Sequence, residues 1–272
     1  MTYQITSTAN PRIKALARLR RRHHREERGE TLVEGYEELA LALAAGVRPV
    51  AVFVCPDMTS PDEWSTLGEF DLAEVLLVSP PVFEKIAYRE SPDGWLAVLP
   101  AIRTGLSDLR LPTDPLILVC DGVEKPGNLG AMLRTADAAG VAAVIATEAG
   151  TDWANPNVVR ASKGTVYAVP VVAAGSAEVL AWLAGRGIPV VATTPDASVN
   201  YTELDLRGPL AIAVGEEKHG LSPAWQAAAT HRARIPMSGL VDSLNVSASA
   251  AILLYEALRQ RAAQPSSSGT RS

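Results

Sequence analysis

Apolar residues in this chain change period again and again. Short apolar runs at Val50–Cys55, Val75–Val78, Trp95–Leu99, Leu116–Asp121, Val141–Thr147, Pro189–Thr193 and Leu210–Val214 have strand length and are bounded by turn-forming residues. Between them lie segments with apolar residues spaced three and four apart, at Tyr36–Ala45, Pro80–Ala87, Leu129–Ala139, Ala177–Gly185 and Ser222–Ala229. Two further helices are predicted. One runs from Pro11 to Arg25, started by Asn10-Pro11. The other runs from Ser247 to Arg259, with Ser247 or Ser249 as its cap. The alternation predicts an α/β fold. A first domain spans residues 1–105, a polar linker with one proline covers 106–114, and a second domain spans 115–263. In the second domain repeated βαβ order predicts parallel strands, with loops at their carboxyl ends. Residues 264–272 are Ser-, Gly- and Pro-containing and are expected to be a disordered tail.

Charge sharpens this picture. Residues 1–28 hold eight Arg or Lys side chains against two Glu, a local charge of +6; with −5 overall, the remainder carries −11. A basic arm on an acidic body argues for a local polyanion contact. Arg20, Arg21, Arg22 and Lys14 are the candidates for phosphate, and RNA is the expected partner. Cys55 and Cys120 sit in apolar runs and read as buried thiols, with no metal spacing. No apolar run reaches membrane-span length and no signal peptide is evident, so a cytoplasmic protein without membrane or metal is expected.

Three loops in the second domain concentrate polar chemistry. They are Gly127-Asn128-Leu129-Gly130 leading to Arg134, Gly215-Glu216-Glu217-Lys218-His219-Gly220, and Ile235–Val246 with Ser243 and Asn245. Their glycines would let backbone approach a ligand. The spacing matches neither a P-loop nor the dinucleotide fingerprint, which weighs against kinase and dehydrogenase chemistry. Read alone, the third loop is equally an ordinary strand-to-helix connection.

Together these residues resemble the SpoU (TrmH-like) branch of the SPOUT RNA methyltransferases. The first family motif is similar to Asp121–Gly130 with Arg134-Thr135-Ala136. The second is similar to Val214–Ser222, and the third to Ile235-Pro236-Met237 with Ser243–Ser247. Asn10-Pro11, Leu32–Gly35 and Tyr88–Gly94 are similar to the family's smaller N-terminal RNA-recognition domain, which adds Arg89 to the RNA-contacting set.

The resemblance implies a C-terminal α/β domain with a deep trefoil knot, a homodimer, and S-adenosylmethionine as cofactor. It implies cofactor contacts at Gly215, Ile235, Met237, Leu244 and Thr193, and a catalytic set of Arg134, Asn128, Glu217, Ser243 and Asn245. The three loops are expected to meet in one crevice. Asp121 and Glu124 are expected to be structural. The implied reaction is methyl transfer to a ribose 2′-hydroxyl. Because the N-terminal domain is of the kind that accompanies ribosomal substrates, 23S rRNA is the expected target, with an antibiotic-resistance role as a narrower version. Transfer RNA methylation and RNA binding without catalysis are the alternatives.

Overall fold

The computed structural model describes residues 3–68, 70, 72, 74–240 and 242–263. The expected tail, 264–272, lies outside the described residues. The chain divides into two compact units. The first comprises residues 1–103, 125–134 and 151–169, and the second residues 104–124, 135–150 and 170–272.

The first unit contains α1 (Pro11–Leu19), α2 (Arg22–Arg28), β1 (Glu30–Glu34), α3 (Tyr36–Ala44), β2 (Ala51–Val54), α4 (Pro61–Leu67), β3 (Val75–Leu77), α5 (Pro80–Ile86) and β4 (Trp95–Pro100). Its four strands run in the order β1-β4-β2-β3, with β4 antiparallel to β1 and β2, and β2 parallel to β3. Ile13, Leu16 and Leu19 bury the inner side of α1 in a core with Phe53, Phe83 and Leu96.

The single helix expected over Pro11–Arg25 is two helices. Arg21 is extended (φ −94°, ψ 134°) and splits it. The cause lies in Arg25, which is buried at 3% exposure. Its guanidinium donates to the carbonyls of Leu19 (3.2 Å) and Arg20 (3.0 Å), which the end of α1 leaves unsatisfied, and to Asp152 at 2.6 Å. A charged side chain buried this deeply is tolerated because it is paired.

The second unit carries β5 (Leu116–Asp121), β6 (Ala143–Thr147), β7 (Val171–Ala174), α8 (Ser176–Ala184), β8 (Val190–Thr193), β9 (Leu210–Gly215), α9 (Pro223–Ala228), β10 (His231–Ala233) and α10 (Val246–Ala262). Helix α6 (Pro126–Ala138) begins within the first unit's segment 125–134, and α7 (Pro156–Ala161) belongs to the first unit, where it packs on β1. All six strands are parallel, in the order β10-β8-β9-β5-β6-β7. Continuous apolar runs suit strands covered on both faces, and Ile117, Val119, Ile145, Ala213 and Trp225 share one core. From β5 the chain moves outward through β6 and β7, then returns to the far side of β9. The strand order therefore reverses between β5 and β9, the place where open α/β sheets bind ligands beyond the carboxyl ends of their strands.

Two helix starts differ from expectation. Helix α6 begins at Pro126, three residues before Leu129, because proline at the first position lacks only an N–H that has no helical acceptor. Helix α10 is capped by Asn245, whose Oδ1 accepts from Ser247 N at 2.9 Å, rather than by either serine.

Candidate active site

At the carboxyl ends of β8, β9 and β10 their loops enclose a cavity of about 600 Å³. Its walls include Thr193, Gly215, Ile235, Met237 and Leu244, all five positions expected to meet a cofactor, together with Glu217 and Ser243 from the expected catalytic set. The β9 loop doubles back sharply. A Cβ on Gly215 would come within 2.0–2.2 Å of Gly220 backbone atoms and Leu221 N. The need for glycine here is loop closure, not ligand approach. Asn245 ties two loops together: while Oδ1 caps α10, its Nδ2 donates to Glu217 Oε1 at 2.9 Å.

The cavity's chemistry describes what would fill it. Met237 and Leu244 remain 36% and 37% exposed on its wall, apolar surface that a ligand would cover. The Thr193 hydroxyl is buried without a hydrogen-bond partner among the described residues, at an energetic cost that a polar ligand group would relieve. Asp196, Glu216, Glu217 and Asp242 outnumber Lys218 around the cavity, which favours a ligand bearing positive charge.

Asp121 serves the fold. It is buried at the end of β5, where Oδ1 accepts from Thr147 Oγ1 (2.8 Å) and Ser176 Oγ (3.4 Å), and Oδ2 accepts from Ser222 N (2.8 Å). One carboxylate thus joins the ends of β5 and β6 to the starts of α8 and α9. The first polar loop begins beside the second: a Cβ on Gly122 would lie 3.7 Å from Glu216 Cβ. His219 is exposed and contacts Glu216 in that loop.

The rest of the first motif lies on α6, in the segment that groups with the first unit. Gly127 is open: a Cβ there would meet nothing within 4 Å. Gly130 has another purpose. A Cβ at that position would stand 2.5 Å from Ala161 Cβ and 2.8 Å from Ala161 C and Ser162 N, so glycine lets α6 press against α7. Arg134, one turn further along, is exposed and makes no ion pair among the described residues. Asn128 is partly buried in the first turn of the helix.

Of the residues expected to contact RNA, Lys14 and Arg21 are exposed. Arg20 donates to the carbonyls of Ile86 (2.9 Å) and Ala87 (3.2 Å) and lies over the Tyr88 ring at 4.5 Å. Arg22 pairs with Glu26 at 2.7 Å. Arg89 turns inward to Glu38 (2.6 Å), Asp93 (3.6 Å) and the Glu34 carbonyl (3.2 Å). Beside it, burial pushes the Glu34 carboxyl above its ordinary range, although it accepts from the backbone N–H groups of Tyr88 and Arg89.

Sequence reading missed Thr194, Pro195 and Asp196 as cavity residues; the Thr-Thr-Pro-Asp turn at the end of a strand was the available signal. It also missed Arg25–Asp152, whose partners stand 127 positions apart with no local signature. Among the described residues no His, Cys, Asp or Glu cluster could hold a metal, and no helix is long and apolar enough to cross a membrane. Both cysteines are buried and neither forms a disulfide.

A parallel sheet with an acidic, partly apolar cavity beside its strand-order reversal defines a cofactor-binding α/β domain. Residues 115–255 match the model of the SpoU rRNA Methylase family, and residues 10–97 match the MRM3-like substrate binding domain. The chain belongs to the SpoU rRNA methylase family. It is similar to a solved RNA 2′-O ribose methyltransferase, with 48% identity and a TM-score of 0.84 over 94% of this chain and 98% of the other. A second similar structure is an AdoMet-bound rRNA methyltransferase from Sinorhizobium meliloti, at 31% identity and TM-score 0.85, covering 94% and 97%. The 23S rRNA (uridine(2479)-2′-O)-methyltransferase of Streptomyces viridochromogenes is 30% identical over 253 residues, 90% of this chain and 88% of that one.

Proposed function

We propose that this protein uses S-adenosylmethionine to methylate a ribose 2′-hydroxyl in ribosomal RNA, with 23S rRNA as the target. The observation that carries the reading is the single cavity at the ends of β8, β9 and β10, which collects all five expected cofactor positions with Glu217 and Ser243. The cavity suits this cofactor: apolar Ile235, Met237 and Leu244 would cover its adenine, Thr193 would satisfy a polar group, and the acidic wall would favour its cationic end. When bound, the cofactor supplies a methyl group activated by a sulfonium.

The chain's own residues would bring the acceptor to it. Arg134 would act as a guanidinium cation that grips the target phosphate and hydroxyl and lowers the pKa of the latter. Asn245 holds Glu217, and Ser243 offers a hydroxyl on the same wall. Asn128 would steady the ribose. Lys14, Arg20 and Arg21 would meet the RNA, while Arg22 and Arg89 already hold carboxylates of the first unit. The resemblance further supports a homodimer and a trefoil knot in the C-terminal domain, and a role in modifying ribosomal RNA fits a cytoplasmic location.

Arg134→Ala tests the core of this reading. Methylation of ribosomal RNA should fall at least ~100-fold, while calorimetry shows S-adenosylmethionine affinity close to that of the parent. Loss of cofactor affinity would refute the role given to Arg134. A parent protein that binds no S-adenosylmethionine would refute the function.

A further inference from the structure

The first 28 residues are rich in arginine, but their guanidinium groups are not equivalent. Arg25 is buried on Asp152 and the end of α1, Arg22 is paired with Glu26, Arg28 with Glu30 and Arg12 with Glu74. Lys14, Arg18 and Arg21 are exposed and make no ion pair among the described residues. Lys14 and Arg18 stand one helical turn apart on α1, on the side away from Ile13, Leu16 and Leu19.

Arg20 belongs to neither group. One of its nitrogens is spent on the Ile86 and Ala87 carbonyls, and its guanidinium carbon lies 4.5 Å from the centre of the Tyr88 ring. The side chain is nevertheless exposed. It is a flat cation with a ring on one side and two carbonyls held at one edge, and it remains accessible to solvent. Phosphate is best met by a guanidinium whose fork of N–H groups is available, whereas unpaired bases stack on guanidinium planes.

We propose that Arg20 is a stacking plate for an unpaired RNA base, and that Lys14, Arg18 and Arg21 carry the phosphates of the same strand. The inference rests on the RNA reading above and assigns it a substrate class: a segment with a splayed base, not a continuous duplex.

The test uses the full chain with two probes, an RNA hairpin with an unpaired loop and the same stem closed as a blunt duplex. Affinities are measured by fluorescence anisotropy across a KCl series. Arg20→Lys keeps charge without a plane, and Arg20→Gln keeps a plane without charge. The plate predicts that Arg20→Lys weakens hairpin binding about tenfold, spares the duplex and leaves the salt slope unchanged. Arg20→Gln retains more of the hairpin preference. Lys14→Ala, Arg18→Ala and Arg21→Ala should each lower the slope by about 0.7–0.9 on both probes. Tyr88→Leu removes the supporting ring but leaves the two carbonyl bonds, and should reproduce the hairpin loss with a melting temperature near the parent's. The plate is overturned if Arg20→Lys binds the hairpin like the parent, or if Arg20→Gln is the weaker of the two on both probes. A parent that binds neither probe overturns the RNA reading itself, an outcome separate from the Arg20 comparison.

Discussion

Asn245 performs two tasks with two atoms, so three substitutions can separate them. Replacement by alanine removes both the α10 cap and the bond to Glu217. The cap contributes about 1 kcal/mol and the exposed side-chain bond a further ~0.5–1 kcal/mol, so Asn245→Ala should unfold ~1.5–2 kcal/mol more easily. Serine caps nearly as well as asparagine but is too short to reach Glu217, so Asn245→Ser should lose only the smaller share. Asn245→Asp keeps the capping oxygen and sets a second carboxylate against Glu217, where the present separation is 2.9 Å. Like charges that close in water-like surroundings repel by about 1 kcal/mol, enough to separate the two loops with little effect on global stability. Urea unfolding would rank the variants for stability. Methyl transfer to ribosomal RNA would rank them for function, with serine and aspartate both expected to be at least tenfold slower than the parent. The reasoning fails if serine is as unstable as alanine, since the cap would then not be the stabilising element. It also fails if aspartate methylates at the parental rate.

Three further outcomes follow from the geometry. Gly130→Ala gains about 0.5–1 kcal/mol of helix propensity but places a methyl 2.5 Å from Ala161 Cβ and 2.8 Å from backbone; overpacking at ~1–3 kcal/mol should prevail, and a melting temperature at or above the parent's would contradict this. Gly215→Ala forces a Cβ into the Gly220–Leu221 backbone, so calorimetry should show S-adenosylmethionine affinity reduced more than tenfold. Glu34 carries a native pKa above its ordinary value of 4.5 because of burial. Between those two values the native state holds more protons than the unfolded chain, so stability declines as pH rises through that window. Glu34→Gln should flatten that part of the melting-temperature profile, and an unchanged slope would reject Glu34 as its source.

The parallel sheet was legible because strands covered on both faces must be apolar throughout, as Leu116–Cys120 and Leu210–Val214 are. The cavity was legible through long motifs whose glycines and asparagine have steric or capping reasons visible in the structure. What sequence could not show were contacts between distant positions that have no local period. The helix break at Arg21 depends on a guanidinium four residues later and an aspartate 127 positions beyond that. Gly127 and Gly130 looked alike in the sequence, yet Gly127 is open and Gly130 is fixed by Ala161. That Asn245 caps α10, and neither Ser247 nor Ser249 does, turned on backbone geometry at Asn245 that composition does not encode.

The elbow between α1 and α2 has a thermodynamic consequence. Arg25 plugs the open end of α1 and anchors it to Asp152, so the bend is set before anything touches the arm. A surface already locked in shape surrenders little freedom on contact, and the ordering entropy of an encounter then falls on the polymer that comes to it. Such an arm rewards strands that are already bent and penalises those that must be unstacked, which makes rigidity in the protein a filter on pliancy in its partner.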